Sequence, residues 1–307
     1  MDTPKNRLDL TVIILTYNEE IHIRRVINSV RDIANEVIVV DSFSTDRTAD
    51  IAAELGARIL QHPFVNQAQQ FQWAMDQGQI NSAWTMRMDA DEYLTPGLLE
   101  EIIHRLPNLP SEITGIELKR QVHFMGQWIK HGGYYPIRLL RIWRTGCAIM
   151  EQKWMDEHTV LTSGKSVVFK QDFVDENLNS LTWWTAKHNN YATREAIDIL
   201  YRQFSIGQDS PTNLSTKMAK QSGAKRWYKD NLYLRMPLFI RAFLYFQFRF
   251  WFRLGFLDGR KGLIWHFLQG FWYRFLVDAK IFQIVWVSKK TNRPIDRVIF
   301  EDYKVKE

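Results

Sequence analysis

The densest chemistry in this chain lies at Asp89-Ala90-Asp91-Glu92, where three carboxylates crowd into four residues. Such groups repel one another unless a cation joins them. A hard divalent ion, Mg²⁺ or Mn²⁺, takes carboxylate and phosphate oxygens together, and it would neutralise a departing diphosphate. The competing reading is a solvated acidic turn capping a helix that starts near Pro96, a role that suits Glu92. A further acid, Asp41, also follows an apolar run. It either caps a turn through Ser42 or hydrogen-bonds a nucleoside, because an acid at a strand end reaches ribose hydroxyls. No G-x-G-x-x-G follows the first apolar run, which counts against a dinucleotide, and the absence of G-x-x-x-x-G-K-[S/T] removes a P-loop.

These acids need a scaffold that gathers strand ends. Residues 10–15 (LTVIIL) form a β-branched apolar run, read as a buried parallel strand, and a polar turn follows over 16–20. Ile23, Val26, Ile27 and Val30 recur at helical spacing, with Arg24 and Arg25 opposite. Residues 36–40 (EVIVV) read as a second buried strand ending at Asp41. The pattern predicts a helix over 45–56, with Thr45 as its cap and Gly56 at its C′ position. A strand at 57–60, a helix at 66–77 and a fourth strand at 84–88 follow, the last ending at Asp89. This alternation predicts an open parallel α/β sheet. Ligands bind such sheets at the carboxyl ends of the strands. Asn18, Glu19, Asp41, Ser42, Asp46, Asp89 and Asp91 are therefore expected along one rim. From 114 to 147 the pattern turns to strands and loops, with a loop at His131-Gly132-Gly133. Arg138 and Arg141 flank it, either to fork onto a diphosphate or as exposed strand charges.

Three segments carry a family likeness: Leu15-Thr16-Tyr17-Asn18-Glu19-Glu20, Val39-Val40-Asp41-Ser42-Phe43-Ser44-Thr45-Asp46 and Met88-Asp89-Ala90-Asp91-Glu92. Together they resemble the family 2 glycosyltransferases of GT-A fold, in the branch of lipopolysaccharide-core glucosyltransferases and exopolysaccharide enzymes. His131-Gly132-Gly133-Tyr134-Tyr135-Pro136, Gly255-Phe256-Leu257-Asp258-Gly259 and Gly262-Leu263 match further parts of that pattern in order. The resemblance implies inverting transfer of a hexose from a UDP- or GDP-linked sugar. Thr16, Asn18, Glu19 and Asp41 would hold the nucleoside, with Asp46 nearby. Asp89 would reach the ribose or the metal, Asp91 would bind the metal directly, and Arg138 is a candidate for the sugar diphosphate. One carboxylate would deprotonate the acceptor hydroxyl. Members of the branch carry a His-Glu pair in the loop after the sheet, whereas this chain reads Trp154-Met155-Asp156-Glu157-His158, in another order and register. Asp156 and Glu157 are both candidates for the base, which must lie within hydrogen-bond reach of that hydroxyl, and His158 is a candidate for the metal shell. A solvated turn is the alternative for all three. A Lys/Arg-Asn pair of the branch is replaced by Gln69-Gln70-Phe71-Gln72, which reads equally well as helix surface. Trp183 and Trp184 either stack on sugar or pack in a core, the latter being expected.

Composition sets the surroundings. A 46% hydrophobic share over 307 residues fits a globular chain with room for a domain and an appendage. The single Cys147 rules out an internal disulfide and fits a reducing cytoplasm, and the polar first nine residues give no expectation of export. The net charge of +6 is concentrated: residues 227–280 hold nine Lys/Arg, three Asp/Glu and 18 of the 42 aromatic residues. Arginines interrupt RMPLFIRAFLYFQFRFWF at 235–252, so no charge-free stretch there reaches the ~18–20 residues of a spanning helix. Helices lying in a membrane interface are expected, with aromatics at the acyl boundary and cations on anionic headgroups. A helical core with its arginines toward water is the alternative.

The expected organisation is an α/β GT-A catalytic domain at 1–204, a polar linker or mobile loop at 205–226, and a basic aromatic helical, membrane-associating region at 227–307. The expected activity is a metal-dependent hexosyltransferase, peripheral to the cytoplasmic side of the inner membrane. Its partners would be a nucleotide-diphosphate sugar, a lipid-linked saccharide acceptor and an anionic membrane surface. Nucleic acid is not expected, because the basic patch lacks a reading motif. Two alternatives remain. A catalytically lapsed nucleotide-sugar-binding membrane scaffold is opposed by the intact Asp41, Asp89 and Asp91. A sugar-nucleotide pyrophosphorylase is opposed by the acidic turn at 16–20, which lacks a glycine-rich activating loop.

Overall fold

The computed structural model describes residues 7–151, 158–204, 233 and 235–303. The chain divides into two compact units, Met1–Leu178 and Asn179–Glu307.

The first unit is organised by a sheet. Strands β1 (Leu8–Thr16), β2 (Ala34–Asp41), β3 (Arg58–Gln61) and β4 (Trp84–Asp89) run parallel. Helices α1 (Glu20–Val30), α2 (Thr48–Glu54) and α3 (Gln67–Gln77) return the chain between them. Strands β5 (Glu92–Leu94), β6 (Ile113–Phe124), β7 (Gln127–Ile129) and β8 (Ile137–Arg144) extend the sheet, and helix α4 (Pro96–Arg105) lies between β5 and β6 in the chain. Strands β9 (Ala148–Met150) and β10 (Thr159–Leu161) pair separately, and β11 (Lys165–Glu176) rejoins the main sheet. The order is β3-β2-β1-β4-β8-β6-β11-β5, with β7 paired to β6. This is the mostly parallel α/β arrangement expected from the alternating pattern.

The alternation of side chains along each strand divides the core in two. Val12, Ile14 and Val39 face Ile23, Val26, Ile27 and Val30 of α1, while Ile13, Ile38 and Val40 pack with Phe71 and Ala74 of α3 and Trp143 of β8. Because β1 lies between β2 and β4, the chain order reverses beside it. The carboxyl ends at such a switch point are where α/β sheets bind ligands.

Local differences from the sequence pattern have plain causes. Helix α2 starts at Thr48, not at 45, because Asp46 rather than Thr45 meets its first turn: the Thr48 amide donates to Asp46 Oδ1 at 2.9 Å. Gly56 has φ +82°, as its place beyond the helix end requires. Asn66 caps α3 and Thr95 caps α4, so Glu92 does not serve as the cap considered for it.

The second unit is helical. Helix α5 (Leu181–Phe204) buries Ala192, Ala196, Ile199 and Leu200, spaced for one face. They pack with Val277, Ile281 and Ile284 of α8 (Tyr273–Thr291). That contact places α5 in this unit, although it falls inside the 1–204 stretch assigned to the sheet domain by sequence. Helix α6 (Ile240–Gln247) continues into a π turn, Phe248–Phe252. A 3₁₀ turn at Gly255–Asp258 leads into α7 (Gly259–Trp265), a π segment at His266–Trp272, α8, and finally α9 (Ile295–Tyr303). No described helix is long and apolar enough to cross a membrane. The proposed linker at 205–226 lies outside the described residues. Trp184 is buried and stacks on His188, with ring centroids 3.5 Å apart, a packing role rather than an open sugar platform.

Burial brings the His188 imidazole down to about 4, with Lys187 adding to the effect and the Trp184 carbonyl opposing it. In the unfolded chain the group titrates near 6.5. The unfolded state therefore binds the extra proton first as pH falls. The stability associated with His188 should be complete above pH 6.5, decline between pH 6.5 and 4, and level off below. Urea midpoints measured across that range should show a decline that His188→Phe, which keeps a ring against Trp184, makes shallower; equal slopes would refute the assignment.

Candidate active site

The carboxyl rim begins with Thr16 and Asp41, which are paired across β1 and β2. Asp41 is fully buried. Thr16 Oγ1 donates to Asp41 Oδ1 at 3.2 Å, the Ser44 amide donates to Oδ2 at 2.9 Å, and the Ser44 hydroxyl also donates to Oδ1. The carboxylate thus pins the turn 42–44 to the strand end. Ser44 Oγ also accepts from the Asn18 amide at 2.9 Å, and Asn18 Oδ1 accepts from the Thr45 amide at 2.8 Å. Asn18 has φ +54°, a left-handed conformation that asparagine tolerates better than most residues. The loops after β1 and β2 are therefore stitched into one surface.

Glu19 and Asp46 complete the stitching. The Glu19 amide donates to Thr48 Oγ1 at 2.7 Å, and the Glu20 amide to Asp46 Oδ2 at 3.1 Å. Glu19 Oε2 meets Nδ1 of the fully buried His22 at 2.5 Å, and His22 Nε2 accepts from the Leu178 amide at 2.8 Å. His22 must then carry its proton on Nδ1, because Nε2 is the acceptor. Asp46 spends both oxygens on backbone and hydroxyl donors of these turns.

The acidic cluster is the electrostatic centre. Asp89 pairs through β4 with Leu15, beside the Thr16 level. Its Oδ1 accepts from Gln67 Nε2 and Arg87 Nη2, each at 3.3 Å, and its Oδ2 lies 3.4 Å from Arg141 Nη2. Burial pushes the Asp89 carboxyl up, but Arg87 and Arg141 outweigh it and hold the group well below the usual range. Glu92 is buried, contacts Arg141 directly, and accepts from the Asp89 amide at 2.9 Å. Burial pushes its carboxyl upward against the pull of Arg141, and the neighbouring Asp89 and Asp175 push the same way. Asp175, on β11 opposite Glu92, pairs with Arg120 at 3.2 Å. Burial, with Asp91 and Asp89 nearby, raises it to about 6.

Asp91 differs from these neighbours. It makes no ion pair among the described residues; Asn177 Nδ2 donates to its Oδ2 at 3.1 Å. Arg25 of α1 holds the adjoining backbone, donating to the Asp91 carbonyl at 3.2 Å and to Glu176 Oε2 at 2.7 Å. Five carboxylates (Asp89, Asp91, Glu92, Asp175, Glu176) thus face four guanidiniums (Arg25, Arg87, Arg120, Arg141). The negative charge left without a cation is at Asp91.

Among the described residues, no three His, Cys, Asp or Glu side chains gather as a ready metal shell. His158 is exposed, and its carbonyl accepts from the Glu151 amide at 2.9 Å. Asp91 with a flanking Asp89 is still a fitting donor set for Mg²⁺ or Mn²⁺, because such ions commonly take one or two protein carboxylates and complete their shell with phosphates and water. Asp156 and Glu157 lie outside the described residues. Arg138 is exposed on β8, while Arg141 is buried and committed to Glu92 and Asp89.

Other participants were invisible in sequence. Gln70, read as possible helix surface, is buried: its Nε2 donates to Ser42 Oγ at 3.1 Å and to the His62 carbonyl at 3.0 Å. Arg25, Arg120, Asp175, Glu176 and Asn177 belong to the rim because β11 returns beside β5 and β6, and Arg87 because it reaches Asp89 two residues along β4. The run Asp175-Glu176-Asn177 at the end of an apolar strand was the available signal.

A sequence model described as Glycosyl transferase family 2 matches residues 11–178. An uncharacterized glycosyltransferase of Rickettsia bellii (strain RML369-C) is 43% identical over 93 residues, 30% of this chain and 31% of that protein. The chain thus spans about a third of the length of the rickettsial relatives it matches. The lipopolysaccharide core biosynthesis glycosyltransferase LpsC of Rhizobium meliloti (strain 1021) is 26% identical over 294 residues, 90% of this chain and 93% of that protein. Among solved structures, glucosyl-3-phosphoglycerate synthase from Mycobacterium tuberculosis, in complex with Mn²⁺, UDP and glucosyl-3-phosphoglycerate, aligns over 38% of this chain and 44% of that chain. The identity is 22% and the TM-score 0.32.

Removing one partner of a buried ion pair strands the other charge, at a cost of about 3–5 kcal/mol. Arg141→Met should destabilise the protein by that amount in urea unfolding, whereas the exposed Arg138→Met should change it by less than about 0.5 kcal/mol. Equal costs at the two positions would show that the Arg141 contacts do not hold the rim together.

Proposed function

The chain belongs to glycosyl transferase family 2, and on that premise we propose that it moves a hexose, with inversion, from a UDP- or GDP-linked sugar to a lipid-linked polysaccharide or lipopolysaccharide-core acceptor. The observation that carries the reading is the rim itself. Thr16 and Asp41, the Asn18–Glu19 turn and the Asp89–Asp91 turn all end on adjacent strands, and the Asp91 carboxylate makes no ion pair among the described residues. The likeness to LpsC over most of both chains supports a lipopolysaccharide-core acceptor. We place the enzyme at the cytoplasmic side of the inner membrane, as a peripheral protein.

The chain's own residues divide the work. The turn built by Thr16, Asn18, Glu19, Asp41 and Asp46 presents a fixed surface to the nucleoside. Its hydrogen bonds are made in advance, so little is reorganised when the donor binds. Asp91, with Asp89 beside it, would hold Mg²⁺ or Mn²⁺, which would supply positive charge to the leaving diphosphate. Arg138 and His158 remain within the proposed site as outer contacts to the sugar diphosphate and the metal shell. Asp156 or Glu157 takes the proton of the acceptor hydroxyl as its oxygen forms a bond to the anomeric carbon. The bond from that carbon to the diphosphate oxygen breaks on the opposite face, and the nucleoside diphosphate leaves with its electron pair.

Diphosphate release from UDP- and GDP-hexoses, assayed with a lipid-linked core acceptor, should require Mg²⁺ or Mn²⁺ and stop in EDTA. Asp91→Ala should fold normally and lose about a hundredfold or more in turnover, in keeping with the several kcal/mol such an ion contributes. Full turnover in EDTA would remove the metal, and normal turnover in Asp91→Ala would remove the site. Nucleotide binding without turnover on any acceptor would favour the lapsed scaffold.

A further inference from the structure

We propose that the helical hairpin formed by α6 with its π turn and by the helix running from Gly259 through α8 inserts its aromatic tip into one leaflet of an anionic lipid membrane. The inference rests on the proposed lipid-linked acceptor only for its purpose; the surface is argued from the second unit alone.

The hairpin turns its acids inward. From Ile240 to Thr291 the sequence contains two acids, Asp258 and Asp278. Both are buried: Asp258 faces His266 at 3.2 Å, and Asp278 accepts from Arg241 Nε at 2.7 Å and from the Phe239 amide at 2.8 Å. Arg274 is committed to Glu195 of α5 at 2.6 Å, and Arg249 bonds to the Tyr245 hydroxyl. The cations exposed near the tip are Arg253, Arg260 and Lys261. The outer surface of this segment therefore shows positive charge and no exposed carboxylate.

The hairpin turns its apolar groups outward. Fifteen large hydrophobic side chains between Ile240 and Trp286 are exposed, far beyond the scattered ones normal on a soluble surface. Six cluster at the tip: Phe248, Trp251, Phe252, Leu254, Phe256 and Leu257. Phe252, at 79% exposed, is the most open large apolar side chain described. Along the second arm, Leu263, Phe267, Phe275, Phe282 and Trp286 are exposed as well. Eight residues separate Phe267 from Phe275, which in a plain α-helix would turn the second about 80° past the first. The wider π turn at His266–Trp272 reduces that drift and keeps one apolar stripe in phase.

Charge complementarity selects the occupant. An apolar tip ringed by cations matches acyl chains beneath anionic headgroups. A second copy of this chain would bring Arg253, Arg260 and Lys261 against their own like charges, and a nucleic acid, which could stack on the rings, would leave the exposed aliphatic Leu254, Leu257, Leu263 and Ile264 unmatched.

The test uses the full chain with vesicles of phosphatidylcholine, with and without phosphatidylglycerol, read by flotation. Partition should be strong only with phosphatidylglycerol. Replacing the three tip cations (R253Q/R260Q/K261Q) should weaken it by roughly fivefold per charge, on the order of a hundredfold in all. Trp251→Ser with Phe252→Ser should lower partition into both vesicle types, and circular dichroism and donor hydrolysis should remain at wild-type values in both variants. Absence of partition into either vesicle at low salt, or a discrete dimer that the Trp251→Ser/Phe252→Ser variant dissociates, would overturn the inference. A chain that hydrolyses donor but ignores vesicles sinks this proposal and leaves the transferase reading intact; one that binds vesicles but turns over no donor does the reverse.

Discussion

The contact between Arg141 and Glu92 is the constraint on which the candidate rim depends. Two carboxylates of one tight turn, Asp89 and Glu92, can be brought to the end of β4 only if their repulsion is met inside the protein. Arg141 reaches both from β8. With Glu92 and Asp89 compensated, the turn presents Asp91 outward without an internal cation of its own. The protein thus separates carboxylates that build the turn from the carboxylate available to a ligand. A metal ion bound there, as proposed, would meet a turn whose shape is already fixed, beside a carboxylate that accepts from Asn177 and makes no ion pair among the described residues.

The β1–β4 sheet was legible because its signals are local. Runs such as LTVIIL and EVIVV are largely buried, and each is followed by a polar residue, Thr16 or Asp41. A parallel sheet gathers those ends whatever the details of its loops. The acid cluster was legible for the same reason. The roles of the partners were not, since each depends on contacts between residues far apart in sequence. Arg141 reads as an exposed strand charge or a phosphate ligand until β8 is known to lie beside β4. Gln70 looks like helix surface until the turn holding Ser42 and His62 is laid over it. Arg25 appears as the wet side of α1, yet it ties the Asp91 backbone to Glu176. The end of the sheet unit was misjudged at residue 204 because α5 has an amphipathic pattern that fits either neighbour, and only its packing on α8 decides between them.

The helical unit follows the opposite rule from a soluble domain. Arg241 and Asp278 are both buried side by side, and Glu195 accepts from Tyr273 and Arg274. Such pairs contribute little net stability, because desolvation offsets the attraction. Their effect is to remove charge from the outside, where phenylalanines and tryptophans take its place. In sequence the same arginines suggested an interrupted apolar stretch. In space Arg241 is buried against Asp278 and Arg249 bonds to the Tyr245 hydroxyl, while Arg235 is exposed.

His22 bears on how the first unit comes into being. One imidazole nitrogen meets Glu19, near the beginning of the chain, and the other receives the Leu178 amide, 156 residues later. Arg25 likewise waits for Glu176. During synthesis the amino-terminal segment emerges first, so His22 and Arg25 of α1 lack these partners until β11 and Leu178 have been made. The candidate rim is complete only when the last strand is present, so a product ending before β11 would lack the partners of His22 and Arg25.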